Sequence, residues 1–121
     1  MVRWLRMARL KCIVLIPLAR NDGSPVRATE LRGILNRFLE EFGGYTVAGP
    51  VEGGWRSPSG KEYHERNTQL WVVVEGHQLP ALRRLVIQVG RELGQEAMYL
   101  EISKGTVEIL MVAKRRRHPK E

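Results

Sequence analysis

The alternation of apolar and polar positions changes period several times along this chain. Cys12-Ile13-Val14-Leu15-Ile16-Pro17-Leu18 is apolar at both parities, as expected of a strand covered on both faces. Pro17 cannot donate to a ladder and marks its end. Asn21-Asp22-Gly23-Ser24-Pro25 reads as a turn, with Asp22-Gly23 supplying a positive φ and Ser24-Pro25 predicting a helix cap followed by proline in the first turn. From Ala28 to Phe42 the period becomes helical: Leu31, Ile34, Leu35, Phe38, Leu39 and Phe42 form one stripe, and Arg32, Arg37, Glu40 and Glu41 fall opposite. Gly43-Gly44 then supplies a residue that tolerates the left-handed conformation at the helix end.

The second strand is predicted at Tyr45 to Val51 and the third at Leu70 to Val74, another run apolar on both faces. Between them, Glu52 to Arg66 reads as a polar, glycine-containing loop. Glu75-Gly76-His77 is a turn, and Pro80 suits the opening of a helix whose stripe is Leu82, Leu85, Val86, Val89 and Leu93, stopped by Gly94. Ala97 to Ser103 alternates Met98, Leu100 and Ile102 with Tyr99 and Glu101, a strand with one wetter face. Thr106 to Val112 is expected as a last short strand or extended edge.

This order, strand, helix, strand, strand, helix, strand, describes two β-α-β units. Right-handed crossovers place both helices on one face of a single sheet, with the first and third strands in the middle. The expected class is α+β: a ferredoxin-like βαββαβ sandwich, an antiparallel four-stranded sheet with two helices on one face and a short extra C-terminal strand. Because both central strands are apolar on the helix-free face too, a partner subunit is expected to cover it; a homo-oligomer follows, with a dimer favoured.

Composition agrees with one compact domain of 121 residues, 43% of them apolar. Cys12 is the lone cysteine, which rules out an intrachain disulfide and a thiolate zinc cluster. The net charge of +7 is held by the ends, by Arg3, Arg6, Arg9 and Lys11 and by Lys114, Arg115, Arg116, Arg117 and Lys120, while the body between them is nearly neutral. Residues 1–10 therefore read as a basic extension, 11–113 as the domain and 114–121 as a basic flexible tail. The apolar run after Lys11 is short, contains Pro17 and leads into Arg20-Asn21-Asp22, which suits a strand better than an export signal. With no stretch of membrane-spanning length, a cytoplasmic protein with no membrane partner is expected.

Ile16-Pro17-Leu18, Asn21-Asp22-Gly23, Phe42-Gly43-Gly44-Tyr45-Thr46, Gly49, Gly54-Trp55 and Gly60 resemble a set of small uncharacterised bacterial proteins with a ferredoxin-like fold. The resemblance covers residues 13–110 and implies the fold without an activity. The element order, with its long loop after the second strand, is also similar to the PII signalling proteins, trimers that bind nucleotides between subunits. Their phosphate-binding motifs have no match here.

Candidate chemistry gathers between the second and third strands. Trp55, held among Gly53, Gly54 and Gly60, either stacks on a flat ligand or folds over the sheet edge; Arg56, Lys61, Tyr63 and Arg66 are the accompanying candidate ligand-binding residues. His64 is the candidate acid or base, because an unperturbed imidazole titrates near neutrality, although no neighbour completes a triad. Trp71 fits the core. Arg115, Arg116 and Arg117 suit weak, salt-sensitive contacts with nucleic-acid phosphates. Phosphate-loop and dinucleotide-binding motifs, a nucleophile elbow and a metal-ligand pattern are missing, so neither cofactor nor metal is expected. The leading functional expectation is a non-enzymatic binding or regulatory module that recognises a small ligand or protein partner through Gly53 to Arg66. A cofactor-free enzyme using His64 and a nucleic-acid accessory protein using the basic ends are the alternatives.

Overall fold

The computed structural model describes residues 9–103, 105 and 107–112. Four strands and two helices follow in the order β1 (Arg9–Pro17), α1 (Ala28–Phe42), β2 (Thr46–Arg56), β3 (Glu62–Glu75), α2 (Leu79–Glu92) and β4 (Tyr99–Ile102), with a 3-10 turn at Gly76–Gln78 before α2. The sheet order is β2-β3-β1-β4 and every neighbouring pair is antiparallel, which is the ferredoxin-like arrangement.

Register explains the two faces. Cys12 lies opposite Val72 and Ile102, Val14 opposite Leu70 and Leu100, and Ile16 opposite Thr68. Cys12, Val14, Ile16, Leu70, Val72 and Val74 are all buried, and the helices lay Ile34, Phe38, Leu82, Leu85, Val86 and Val89 over them. Burial pushes the Cys12 thiol above its ordinary range, so it acts as a small apolar side chain. On the opposite face stand Lys11, Ile13, Leu15, Trp71 and Val73, all half-buried. Trp71 is thus on the helix-free face instead of in the core. Its indole N–H donates to Gln69 Oε1 at 3.1 Å, and Lys11 Nζ lies 3.7 Å from the ring centroid.

The predicted cap of α1 is displaced. Pro25 instead bridges to Ala19, and Ser24 closes an Asx turn, its N–H 2.9 Å and its hydroxyl 2.6 Å from Asp22 Oδ1. The helix opens after Arg27, whose N–H donates to Glu30 Oε1 at 3.1 Å. Arg20 pairs with the same carboxylate, so Glu30 fastens the incoming chain as well as the helix. At the other end Gly43 (φ 84°) donates its N–H to Leu39 O at 2.8 Å, as expected.

A larger departure concerns residues 52–66. They form a hairpin in place of a loop: β2 runs to Arg56, β3 starts at Glu62, and the tip closes where Ser57 N–H meets Lys61 O and Gly60 N–H meets Ser57 O, each at 2.8 Å. The ladder satisfies the backbone, so these residues need no apolar pattern to be strands. Pro50, Gly49 and the bulge beside them are tolerated because β2 is an edge strand. The extra C-terminal strand is not formed among the described residues 107–112; Val107 N–H reaches Arg9 O at 2.8 Å, and Ile109 to Val112 are exposed. Among the described residues no helix is long and apolar enough to cross a membrane.

Two helical glycines give opposite expectations. Gly33 is exposed in α1 with nothing within 4 Å of an added Cβ. Gly90 is buried in α2, where an added Cβ would stand 2.6 Å from Met98 Cγ. In denaturant titrations Gly33→Ala should stabilise the fold by about 0.5–1 kcal/mol. Gly90→Ala should destabilise it by about 1–3 kcal/mol, as overpacking does. Equal shifts of the same sign would contradict the close helix-to-β4 contact.

Candidate functional site

Strand period and strand length together build the site. β1 ends at Pro17 opposite Asn67, whereas β2 and β3 continue paired out to Arg56 and Glu62. The two strands therefore leave the sheet as an arm. Side chains on an arm alternate between faces, which divides the candidate residues. Trp55 and Tyr63 are opposite one another and, with Glu65 and Asn67, share the helix-free face with Leu15 and Pro17. Arg56, His64 and Arg66 share the other.

On the helix-free side the Trp55 and Tyr63 rings stack, with centroids 5.2 Å apart and planes 18° from parallel. Lys61 Nζ is 5.1 Å from the Tyr63 centroid. The Tyr63 hydroxyl donates to Glu96 Oε2 at 2.8 Å, tying the arm to the connection that enters β4. That bond, followed by partial desolvation and the negative charges of Glu96 and Glu65, holds the Tyr63 phenol above its ordinary ionisation range. A cleft of about 280 Å³ lies between arm, sheet and the start of β4. Leu15, Pro17, Ala97 and Met98 supply its apolar lining, and Trp55 and Tyr99 add aromatic rings. Gly53 and Gly54 leave the arm's backbone accessible along one wall, while Glu65 and Asn67 contribute its polar groups.

Asn67 is the unusual member. It is only 5% exposed, and its side-chain amide makes no hydrogen bond among the described residues. A buried amide without partners costs about 1–3 kcal/mol, so its donor and acceptor are available to whatever enters the cleft. Glu65 likewise makes no ion pair among the described residues.

The other candidates are elsewhere. Arg56 pairs with Glu62 at 2.5 Å on the exposed outer face of the arm. His64 is exposed, its ring lying over Gly54, where an added Cβ would be 3.3 Å from Nδ1. His64 and Arg66 line a separate cleft of about 500 Å³ against Arg20 and the turn at Asn21. Arg115, Arg116 and Arg117 lie outside the described residues. Among the described residues no three His, Cys, Asp or Glu side chains are placed to hold a metal ion.

Of the lining residues, sequence reasoning singles out Trp55, with Tyr63 beside it, and not Asn67, Glu65 or Tyr99. The available signal was the alternation Tyr63, Glu65, Asn67, Gln69, Trp71, legible once 62–75 is taken as one continuous strand.

No protein-family model and no curated protein matches the chain. Solved structures do resemble it in fold. A phage SAM lyase in complex with S-methyl-5'-thioadenosine aligns at a TM-score of 0.64 and 12% identity, covering 85% of this chain and 86% of that one. A phage SAM lyase in its apo state aligns at 0.62 and 12% identity, over 96% and 99% of the two chains. The divalent cation tolerance protein Cut A1 of Thermus thermophilus aligns at 0.54 and 14% identity, over 89% and 87%. At such identities the likeness is one of fold, and what this chain has in common with all three is the ferredoxin-like architecture.

Proposed function

We propose that the protein is a non-enzymatic binding module whose arm and sheet together hold a small, flat heteroaromatic molecule of the nucleoside type, neutral or cationic. The observation that carries this reading is Asn67, a buried amide facing a cleft with its hydrogen-bonding groups unused. An amide offers one donor edge and one acceptor edge, which suits the paired donor and acceptor of a nucleobase. Trp55 and Tyr99 supply ring faces, and the Gly53-Gly54 backbone allows close approach. Glu65 disfavours a phosphate and favours a neutral or positively charged group. The S-methyl-5'-thioadenosine bound by the phage SAM lyase of similar fold belongs to this chemical class and is the first ligand to test. A homo-oligomer, a dimer in the first instance, belongs to the same proposal; the half-buried Ile13, Leu15, Trp71 and Val73 on the helix-free face support it.

Calorimetric titration with S-methyl-5'-thioadenosine, and with adenosine monophosphate as the charged comparator, tests the reading. The uncharged nucleoside should bind more tightly. Asn67→Leu should weaken it at least about tenfold while leaving the melting temperature equal or higher, because it removes an unpaired buried amide. Trp55→Ala should weaken it about 10- to 100-fold through lost stacking. Undetectable binding of every nucleoside tested, or an Asn67→Leu variant that binds like the parent, would refute the proposal.

The tie between Tyr63 and Glu96 gives a pH dependence. The folded state favours the neutral phenol, so the Tyr63 contribution is fully present below the ordinary tyrosine value and is lost as pH rises through its raised folded value. The difference in absorbance at 295 nm between the parent and Tyr63→Phe should titrate above ordinary tyrosine, and Glu96→Gln should bring that midpoint down. A midpoint unaffected by Glu96→Gln would show that the arm is not held this way.

A further inference from the structure

From the end of the described chain we infer that residues 109–112 dock on a second copy of this protein, as an added strand along the outer edge of β4. Ile109, Leu110, Met111 and Val112 are 55%, 76%, 89% and 88% exposed, an uninterrupted apolar run more than half exposed at each position. Soluble proteins rarely leave such a run uncovered. Apolar residues at both parities suit a strand that gains contacts on both faces.

The same chain carries a complementary surface. Among the described residues β4 is an edge strand, hydrogen-bonded on one side only. Beside its free edge runs a groove of about 530 Å³ whose apolar lining includes Val86, Ile87, Met98 and Leu100. Ile87 is 51% exposed there, although it belongs to an otherwise well-packed helix. Across the edge, on the helix-free face, Tyr99 is 52% exposed. A strand added at β4 would thus place alternate side chains over the groove and over Tyr99.

The tail does not reach this edge in its own subunit. Ser103 N–H bonds to Lys11 O at 2.9 Å and Val107 N–H to Arg9 O at 2.8 Å, so the chain continues along β1 in the row that β4 occupies. Ile109 then lines a small cleft together with Phe42, Val73 and Gln78, at the end of the sheet where β1 begins. The groove extends to Gly90, Gln95 and Met98, toward the opposite end. A second molecule is therefore the occupant that brings the two surfaces together. Ala97 and Met98 line both this groove and the aromatic cleft, so the incoming strand would stand next to the cleft as its outer wall.

Two measurements on the full chain decide the matter without any ligand. Light scattering with sedimentation should show concentration-dependent association of the parent, weakened about 100-fold or more by Ile109→Asp with Met111→Asp, two changes at exposed positions that leave the circular dichroism unaltered. Separately prepared Met111→Cys and Ile87→Cys proteins should form an intermolecular disulfide efficiently when mixed and oxidised, and far less when either is oxidised alone. A parent that stays monomeric, a double variant that associates like the parent, or a mixture that cross-links no better than its components would overturn the inference. Association that persists with no such cross-link would place the contact on the helix-free sheet face instead, leaving the proposed homo-oligomer standing without this contact.

Discussion

β3 is 14 residues long while its central partner β1 has 9, and the rest of the molecule accommodates that mismatch. Where both are present, β3 lies between β1 and β2, and its even-numbered side chains close the core under the helices. Where β1 has ended, β3 has only β2 for company, and a two-stranded ribbon has no layer of its own to pack against. Leu18 N–H donates to Arg66 O at 3.0 Å and the Tyr63 hydroxyl to Glu96 Oε2 at 2.8 Å, tying the ribbon to the rest of the molecule, while Trp55 and Tyr63 stack across its two strands. The cleft lies between this ribbon, the sheet and the connection into β4. Its position follows from strand lengths, and its contents from the parity of the residues at the junction.

At that junction sits Asn67, opposite the last residue of β1. On that face of β3 the side chains run Trp71, Gln69, Asn67, so the surface is already polar where the arm begins. A buried amide with no partner among the described residues works against stability, and its spare hydrogen-bonding capacity is what the proposed site draws on. The buried Ser57 shows the ordinary alternative, since its hydroxyl contacts Ser59 Oγ at 2.7 Å and so closes the hairpin tip. Burial is similar at both places, but only Asn67 faces an opening.

The sheet also has two unlike borders. β2 blunts its edge with Pro50, Gly49 and a bulge, features that discourage pairing with another chain. β4 carries no proline or bulge and is blunted by its shortness instead, and a groove lined by both apolar and charged side chains runs beside it. The chain that leaves β4 is correspondingly apolar where it passes the end of the sheet. The proposed contact between copies rests on this difference between the two edges.

Local patterns were enough to determine the sandwich. The doubly apolar runs at Cys12 and Leu70 set the central strands, the stripes through Phe38 and Val89 set both helices, and Gly43 and Gly94 set their ends, because each follows from side-chain period or backbone freedom within a few residues. Trp55 and Tyr63 were each visible as an aromatic residue in a polar stretch, though not as a stacked pair. What tertiary structure decided was that this stretch is a ladder, since cross-strand hydrogen bonding can hold residues that show no apolar alternation. Pairing, in turn, fixed parity, sending His64 and Arg56 to one side and Glu65 and Asn67 to the other. Likewise, Trp71 is apolar enough for either face, and only its register against Ile13 placed it away from the helices. Period along a chain states which residues share a side; it takes the partner strand to state what that side meets.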